Sequence, residues 1–206
     1  GRAAHASAPD LGSNAIHNAA RLIFGIELLA PRLATDPFLG QGTVAVTEIE
    51  SQAASRNAVP DCCKFYIDRR LTLGETERKA LTEIQNIINT EEVDADVRVS
   101  EYRIASYTGF DCRARNVFPA WAVSQDHPLV QATARSVRDT LGYRPRLSRW
   151  SFSTDGTYTA GVANLPTVGF GPGEEQYAHT QDEQIRLNDV VDAARVYARL
   201  AVELLG

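Results

Sequence analysis

Methionine is absent from this chain, cysteine occurs only three times, and no part of the sequence concentrates basic charge or long apolar runs. Cys62, Cys63 and Cys112 are odd in number, and two of them are neighbours whose side chains point to opposite faces of a strand. Such a set builds no disulfide framework and points to reduced thiols in the cytoplasm. No apolar stretch approaches the roughly 18 to 20 residues that a membrane-spanning helix needs, and no basic start with an apolar middle marks a signal peptide. A soluble protein without a membrane partner is expected. The formal net charge of −5 argues against a nucleic-acid partner, which would require a clustered basic excess. The nearest approach, YRPRLSR at 143–149, reads as a solvated loop. The chain lacks methionine even at position 1, and its opening GRAAHAS carries no start or processing signal. We therefore expect a piece of a longer polypeptide.

What is present suffices for a globular fold: 206 residues, 44% of them hydrophobic, can bury one large core or two small ones. Residues 14–33 carry Ile16, Ala19, Ile23, Ile26, Ala30 and Leu33 at helical spacing, with Pro31 ending or bending the helix. Two strands follow. Residues 43–49 are short and β-branched, and 62–69 alternate, Cys63, Phe65 and Ile67 facing one way against Lys64, Tyr66 and Asp68. Helical spacing returns over 75–88 through Ala80, Leu81, Ile84, Ile87 and Ile88, and 96–104 alternates again. A strand placed before Gly1 would complete β-α-β-β-α-β, the ferredoxin-like split unit with both helices on one face of its sheet.

After Tyr107 the pattern changes. Asp126 and Pro128 open a helix to about Leu141, with Val130, Ala134, Val137 and Leu141 on one stripe. The last helix, 189–205, is amphipathic through Val190, Ala194, Tyr197, Ala201 and Leu204, with Asn188 as its cap and Gly206 as its stop. Between them PTVGFG at 166–171 reads as a buried strand leaving into a glycine-rich loop. These patterns predict an α/β fold in two parts, a ferredoxin-like domain over 1–112 and a second module over 113–206.

The loop 169–183, GFGPGEEQYAHTQDE, delivers His179 beside carboxylates, and its glycines permit close backbone approach to a ligand. One histidine is not a metal site, since zinc in hydrolases takes about three protein ligands plus water. His5 lies at the exit of the inferred first strand, where sites are commonly built. His17 and His127 fall at helix starts and read as structural or exposed. At the end of a strand, Arg69 and Arg70 point to opposite faces, so one at most serves a given pocket, where a guanidinium suits a bidentate clamp on a carboxylate. Asn57 offers an amide donor and acceptor but is also an ordinary turn residue. The run Ser153-Thr154-Asp155-Gly156 fits either an anion-holding helix start or a plain cap, which leaves the role of Asp155 open. No serine elbow is present, and Cys62 and Cys63 lie mid-strand.

In order, GRAAHASAPDLGSNAI, RNAVPD, YIDRRLTLGET, SFSTDG, PTVGFGPG and AHTQDE resemble the di-zinc metallopeptidase and amidohydrolase family of acetylornithine deacetylase, succinyl-diaminopimelate desuccinylase and aminoacylase. IDRRLTLGET with RWSFSTDG looks most like its YgeY-like branch, associated with selenium metabolism. The resemblance implies a catalytic domain interrupted by a ferredoxin-like lid that also dimerises, with 113–206 as the returning C-terminal part of the catalytic domain. It implies hydrolysis of a C–N bond of a small, carboxylate-bearing substrate by hydroxide bridging two zinc ions. His179 is similar to the family's last zinc ligand, and His5 to the lid histidine that reaches the partner subunit's site and stabilises the oxyanion. Arg70, rather than Arg69, aligns with the arginine that holds a substrate carboxylate, and Asn57 with a polar substrate contact. The family's His-x-Asp motif and general-base glutamate, which lie upstream of the lid, are missing: His5, His17, His127 and His179 are followed two positions on by Ser7, Ala19, Leu129 and Gln181. Glu91–Glu92 matches the family's Glu-Glu pair in letters alone. These 206 residues by themselves are accordingly expected to be inactive, and a non-catalytic dimerisation module, or a homologue without metal, is the alternative.

Overall fold

The computed structural model describes residues 1–150 and 152–206, which form two compact units, Gly1–Ala120 and Trp121–Gly206. Along the first run β1 (Ala4–His5), α1 (Ala15–Leu29), β2 (Thr35–Asp36), β3 (Gly40–Gln41), β4 (Thr43–Gln52), β5 (Ala58–Val59), β6 (Cys62–Arg70), α2 (Glu77–Thr90), β7 (Glu101–Ala105) and β8 (Asp111–Arg115). Helix α1 starts where the Asn14 side chain accepts from the N–H groups of Ile16 (2.9 Å) and His17 (3.3 Å), two donors with no partner inside the helix. It ends at Leu29, and Pro31 sits in the 3-10 turn Ala30–Arg32 that follows. In α2 the cap is Thr76, whose hydroxyl accepts from Lys79 N–H at 3.2 Å.

Strands β4 and β6 pair antiparallel, Val46 opposite Ile67 and Ile49 opposite Phe65, with an irregularity between Val46 and Glu48. Both helices cover one face of this pair. Leu22 and Ile26 from α1 and Ile84 and Ile88 from α2 form the buried centre, packed on Val44, Val46, Phe65 and Ile67. Each such side chain contributes about 1.5–3 kcal/mol when fully buried. A Cβ on Gly25 would lie 2.6 Å from Ile87 Cγ2, so the bare glycine lets α1 and α2 approach. Ile16, at helical spacing with the core positions, is instead exposed, and Leu22 takes the central place.

The alternation at 96–104 divides differently from the single strand it suggests. Val93, Ala95 and Val97 pack against the core, but 93–100 has no strand partner among the described residues. Regular pairing begins at Glu101 and is with β8. Alternation reports which face is buried and is silent on which strand lies alongside. The mixed α/β class and the two helices on one sheet face stand, while the boundary at 112/113 falls within β8, which β7 ties back to the first unit.

The second unit contains α3 (Pro128–Leu141), α4 (Gly156–Thr159) and α5 (Leu187–Leu205). His127 is the cap of α3, its Nδ1 accepting from Leu129 N–H at 3.1 Å. Helix α5 begins with Arg186 in the cap position, so Asn188 lies in its first turn and not at the cap. The helices α3 and α5 run antiparallel: Arg135 and Ser136 reach Glu203 (2.7 and 3.0 Å), while Asp139 meets Arg199 (3.7 Å). Val130, Val137, Ala193 and Val196 are buried between them. Residues 166–171 carry no ladder among the described residues and are partly exposed, contrary to the buried strand expected there. They are fastened to α5 instead, where Tyr197 donates its hydroxyl to Phe170 O and the two rings meet edge to face at 5.6 Å. Among the described residues no helix is long and apolar enough to cross a membrane.

The turn from β6 into α2 closes on a buried ion pair. Arg69 Nη2 donates to Glu75 Oε1 at 2.6 Å and to Glu83 Oε2 at 3.2 Å, with 10% of the Arg69 side chain and 1% of the Glu75 side chain exposed. Glu75 Oε2 accepts from Thr72 N–H at 3.0 Å, and Thr72 donates its hydroxyl to Gly40 O at 2.8 Å. A Cβ on Gly42 would lie 2.7 Å from Arg69 Nη1 and 2.8 Å from Glu75 Oε2, so this glycine leaves the room the pair occupies. Burial pushes the Glu75 carboxyl up, but the Arg69 hydrogen bond, the Thr72 amide and the charges of Arg69 and Lys79 together hold it below the usual carboxylate range. Glu75→Gln leaves Arg69 with Glu83 as its one remaining carboxylate and is expected to lower unfolding free energy by about 3 kcal/mol. That loss is complete above the unfolded glutamate value of about 4.3 and fades as pH falls through the lower folded value, where native Glu75 is itself protonated. Urea titrations of both proteins from neutral pH downward measure it. An undiminished difference at about pH 2 would contradict the assignment.

Candidate functional site

His5 is placed by a short ladder. Strand β1 pairs antiparallel with β5, Ala4 opposite Val59 and His5 opposite Ala58. The ladder continues as Ala6 N–H donates to Asn57 O at 2.8 Å, so Asn57 lies across from Ala6, one position on from the His5–Ala58 pair, and alternation turns the His5 side chain to the other face. Asn57 itself ends a turn in which Ser55 Oγ accepts its N–H at 3.1 Å and Ser55 O accepts from Ala58 N–H at 3.1 Å. Both side chains are exposed. The His5 ring meets Ser7, with Nδ1 2.7 Å from Ser7 Oγ and 3.2 Å from Ser7 N.

Strand alternation separates the two arginines as expected. Arg69 turns inward to Glu75 and Glu83, whereas Arg70 is exposed and forms a two-point pair with Asp68, Nε to Oδ1 at 2.7 Å and Nη2 to Oδ2 at 2.8 Å. Asp68 was not singled out as a candidate, yet its position two residues before Arg70 on one strand was the signal that both share a face.

In the second unit, His179 follows the 3-10 turn Glu175–Tyr177 and is exposed. Its φ of 61° puts it in the left-handed region, unfavourable for a branched ring-bearing residue by about 1–3 kcal/mol. Residues held this way gather where geometry serves a ligand. The neighbouring glycines have a packing reason as well: a Cβ on Gly169 would lie 1.9 Å from the Trp150 ring. Thr154 Oγ1 accepts from Gly156 N–H at 3.2 Å, while Asp155 makes no capping bond to α4. The SFSTDG motif begins at Ser151, which lies outside the described residues.

Among the described residues, no group of three or more His, Cys, Asp or Glu side chains is placed to hold a metal ion. His179 is exposed and offers a single imidazole, which fits one ligand position at most. An open groove of about 490 Å³ lined by Glu77, Arg78, Leu81, Thr82, Gln85 and Val97 involves none of the four candidates.

Residues 1–96 match the peptidase dimerisation domain of the M20 family. Across its whole length the chain is 38% identical to the Escherichia coli K12 protein described as uncharacterized protein YgeY, covering 51% of it. It is 25% identical over 201 residues to the N-formyl-4-amino-5-aminomethyl-2-methylpyrimidine deformylase of Bacillus subtilis strain 168, covering 93% of this chain and 46% of that one. The crystal structure of the M20 family metallo-carboxypeptidase Sso-CP2 from Sulfolobus solfataricus superposes with a TM-score of 0.60 at 15% identity, over 97% of this chain and 55% of that one. The chain thus spans about half the length of the curated relatives it matches.

The unequal surroundings of the arginines predict unequal stabilities. Arg70→Ala removes an exposed pair and is expected to change unfolding free energy by no more than about 1 kcal/mol. Arg69→Ala leaves buried Glu75 with only the Thr72 amide and Lys79 at 3.6 Å, and is expected to cost more, about 3 kcal/mol. Equal losses in a denaturant titration would contradict this division.

Proposed function

We propose, because residues 1–96 match the M20 peptidase dimerisation domain, that the chain is part of an M20-type protein and forms the lid and the C-terminal catalytic segment of a metal-dependent hydrolase. The bond cleaved is a C–N bond of amide type in a small substrate bearing a carboxylate. What supports the reaction class is likeness to relatives named as a deformylase and a metallo-carboxypeptidase. What supports the site reading is that His5, held by the β1–β5 ladder, and Arg70, on β6, both leave their side chains exposed.

His5 donates a hydrogen bond to the oxyanion that forms when the carbonyl carbon becomes tetrahedral, acting in the site of the partner subunit of a homodimer. A donor aimed where charge develops is worth about 100- to 1000-fold in turnover. Asn57 contacts the substrate's polar groups. Arg70 orients the substrate carboxylate through its guanidinium edge, a geometry that lysine cannot reproduce. His179 serves as one ligand of a zinc pair whose other ligands lie outside these residues; bound, the metal supplies a hydroxide at neutral pH by lowering the pKa of water to about 7. The 206 residues by themselves are therefore inactive, and in the cell the enzyme is cytoplasmic.

Two measurements check this. In the full-length protein, His5→Ala is expected to lower kcat by about 100-fold or more with KM changed little. Undiminished turnover would remove the oxyanion role. Metal analysis of the 206-residue chain after dialysis is expected to find less than one tightly held zinc; two would overturn the division of ligands.

A further inference from the structure

The surroundings of His5 decide which of its ring nitrogens carries the proton. A backbone N–H is a donor in every protonation state, and Ser7 N–H meets His5 Nδ1 at 3.2 Å. That contact is favourable only if Nδ1 presents a lone pair. With the proton on Nδ1, two N–H groups would face each other. The Ser7 hydroxyl, 2.7 Å from the same nitrogen, rotates to donate to it as well. The residue that supplies both groups sits two positions along the chain, in a turn held by Ala8 N–H donating to His5 O at 2.9 Å and by the Ala6 to Asn57 bond of the ladder.

We propose that Ser7 is the positioning residue of His5: its backbone amide and hydroxyl both donate to Nδ1 and fix the neutral imidazole as the Nε2–H tautomer. The fixed ring then presents Nε2–H as a hydrogen-bond donor at an exposed position without first losing tautomer freedom. The inference rests on the reading of His5 as an oxyanion donor, because that role needs an N–H on the nitrogen remote from the chain's own contacts. It also states something about the free protein that needs no substrate or metal. Hydrogen-bond donors placed this way on one ring nitrogen set both ring orientation and tautomer.

The test is ¹⁵N nuclear magnetic resonance of the imidazoles in the 206-residue chain above the pH at which histidine protonates. The chain has four histidines, and the His5 signals are those lost in His5→Gln. The expected spectrum shows His5 Nε2 protonated and Nδ1 unprotonated; Ser7→Ala, which keeps the backbone N–H, should weaken this preference only in part and Ser7→Thr restore it, whereas Ser7→Pro, which removes both donors, should admit the Nδ1–H form. In the full-length protein, Ser7→Ala should lower kcat by about 10-fold with KM unchanged, and Ser7→Thr should recover it. An Nδ1–H tautomer, averaged nitrogens in the unmodified chain, or a Ser7→Pro variant with unaltered tautomer would overturn the proposal. The spectrum reads the tautomer without turnover. A correct tautomer alongside undiminished turnover in His5→Ala would therefore defeat the oxyanion reading alone.

Discussion

The contact between Arg69 and Glu75 is the constraint on which the first unit depends. A guanidinium and a carboxylate withdrawn from water each lose several kcal/mol of solvation, and each recovers most of it from the other at 2.6 Å. Glu75 is shared among Arg69, Lys79 and the Thr72 amide, and Thr72 in turn reaches Gly40. One carboxylate thereby fixes the end of β6, the turn after it and the approach to α2. The same contact sets what is exposed. With Arg69 drawn inward, strand alternation turns Arg70 to the opposite face, where Asp68 holds it at two points.

Much of this is written locally in the chain. The helix over 77–90 follows from Ile84 and Ile88 at four-residue spacing, and the inward set Phe65 and Ile67 follows from alternation in 62–69. The arginines were separable for the same reason, since a two-residue period sends neighbours to opposite faces. The Glu75 partnership was not legible, because LTLGET reads equally as a solvated turn until tertiary contacts bury the carboxylate. Pairing was harder still. Residues 93–97 bury alternate side chains as a strand would, yet nothing in their composition says which backbone, if any, lies beside them. At 166–171 the apolar letters suggested a buried strand, whereas Tyr197 and Trp150 engage this segment from outside any sheet. The cap of α5 differed because Asn188 is a good cap by type but stands two residues past the cap position that Arg186 occupies.

The candidate residues divide in the same way. Their candidacy rests on the order of six short motifs, whereas their surroundings came only with the fold. His5 gains the β5 ladder and the Ser7 contacts, and His179 gains a left-handed backbone that a histidine does not adopt without cost. The chemistry proposed assigns an oxyanion donor and a carboxylate clamp to the first unit and a metal ligand to the second. On that proposal the dimerisation domain has a catalytic meaning: a lid histidine serving the partner's site would leave the isolated subunit incomplete.

Mixing two variants of the full-length protein tests this claim most directly. His5→Ala keeps the metal ligand and loses the donor; His179→Ala does the reverse. If His5 acts across the dimer, a hybrid contains one site with native His179 and a native His5 from the other subunit. Equal mixtures re-associated at random should then recover about a quarter of native turnover from two nearly inactive parents. Mixtures no more active than their parents, with hybrid dimers demonstrated, would contradict the account.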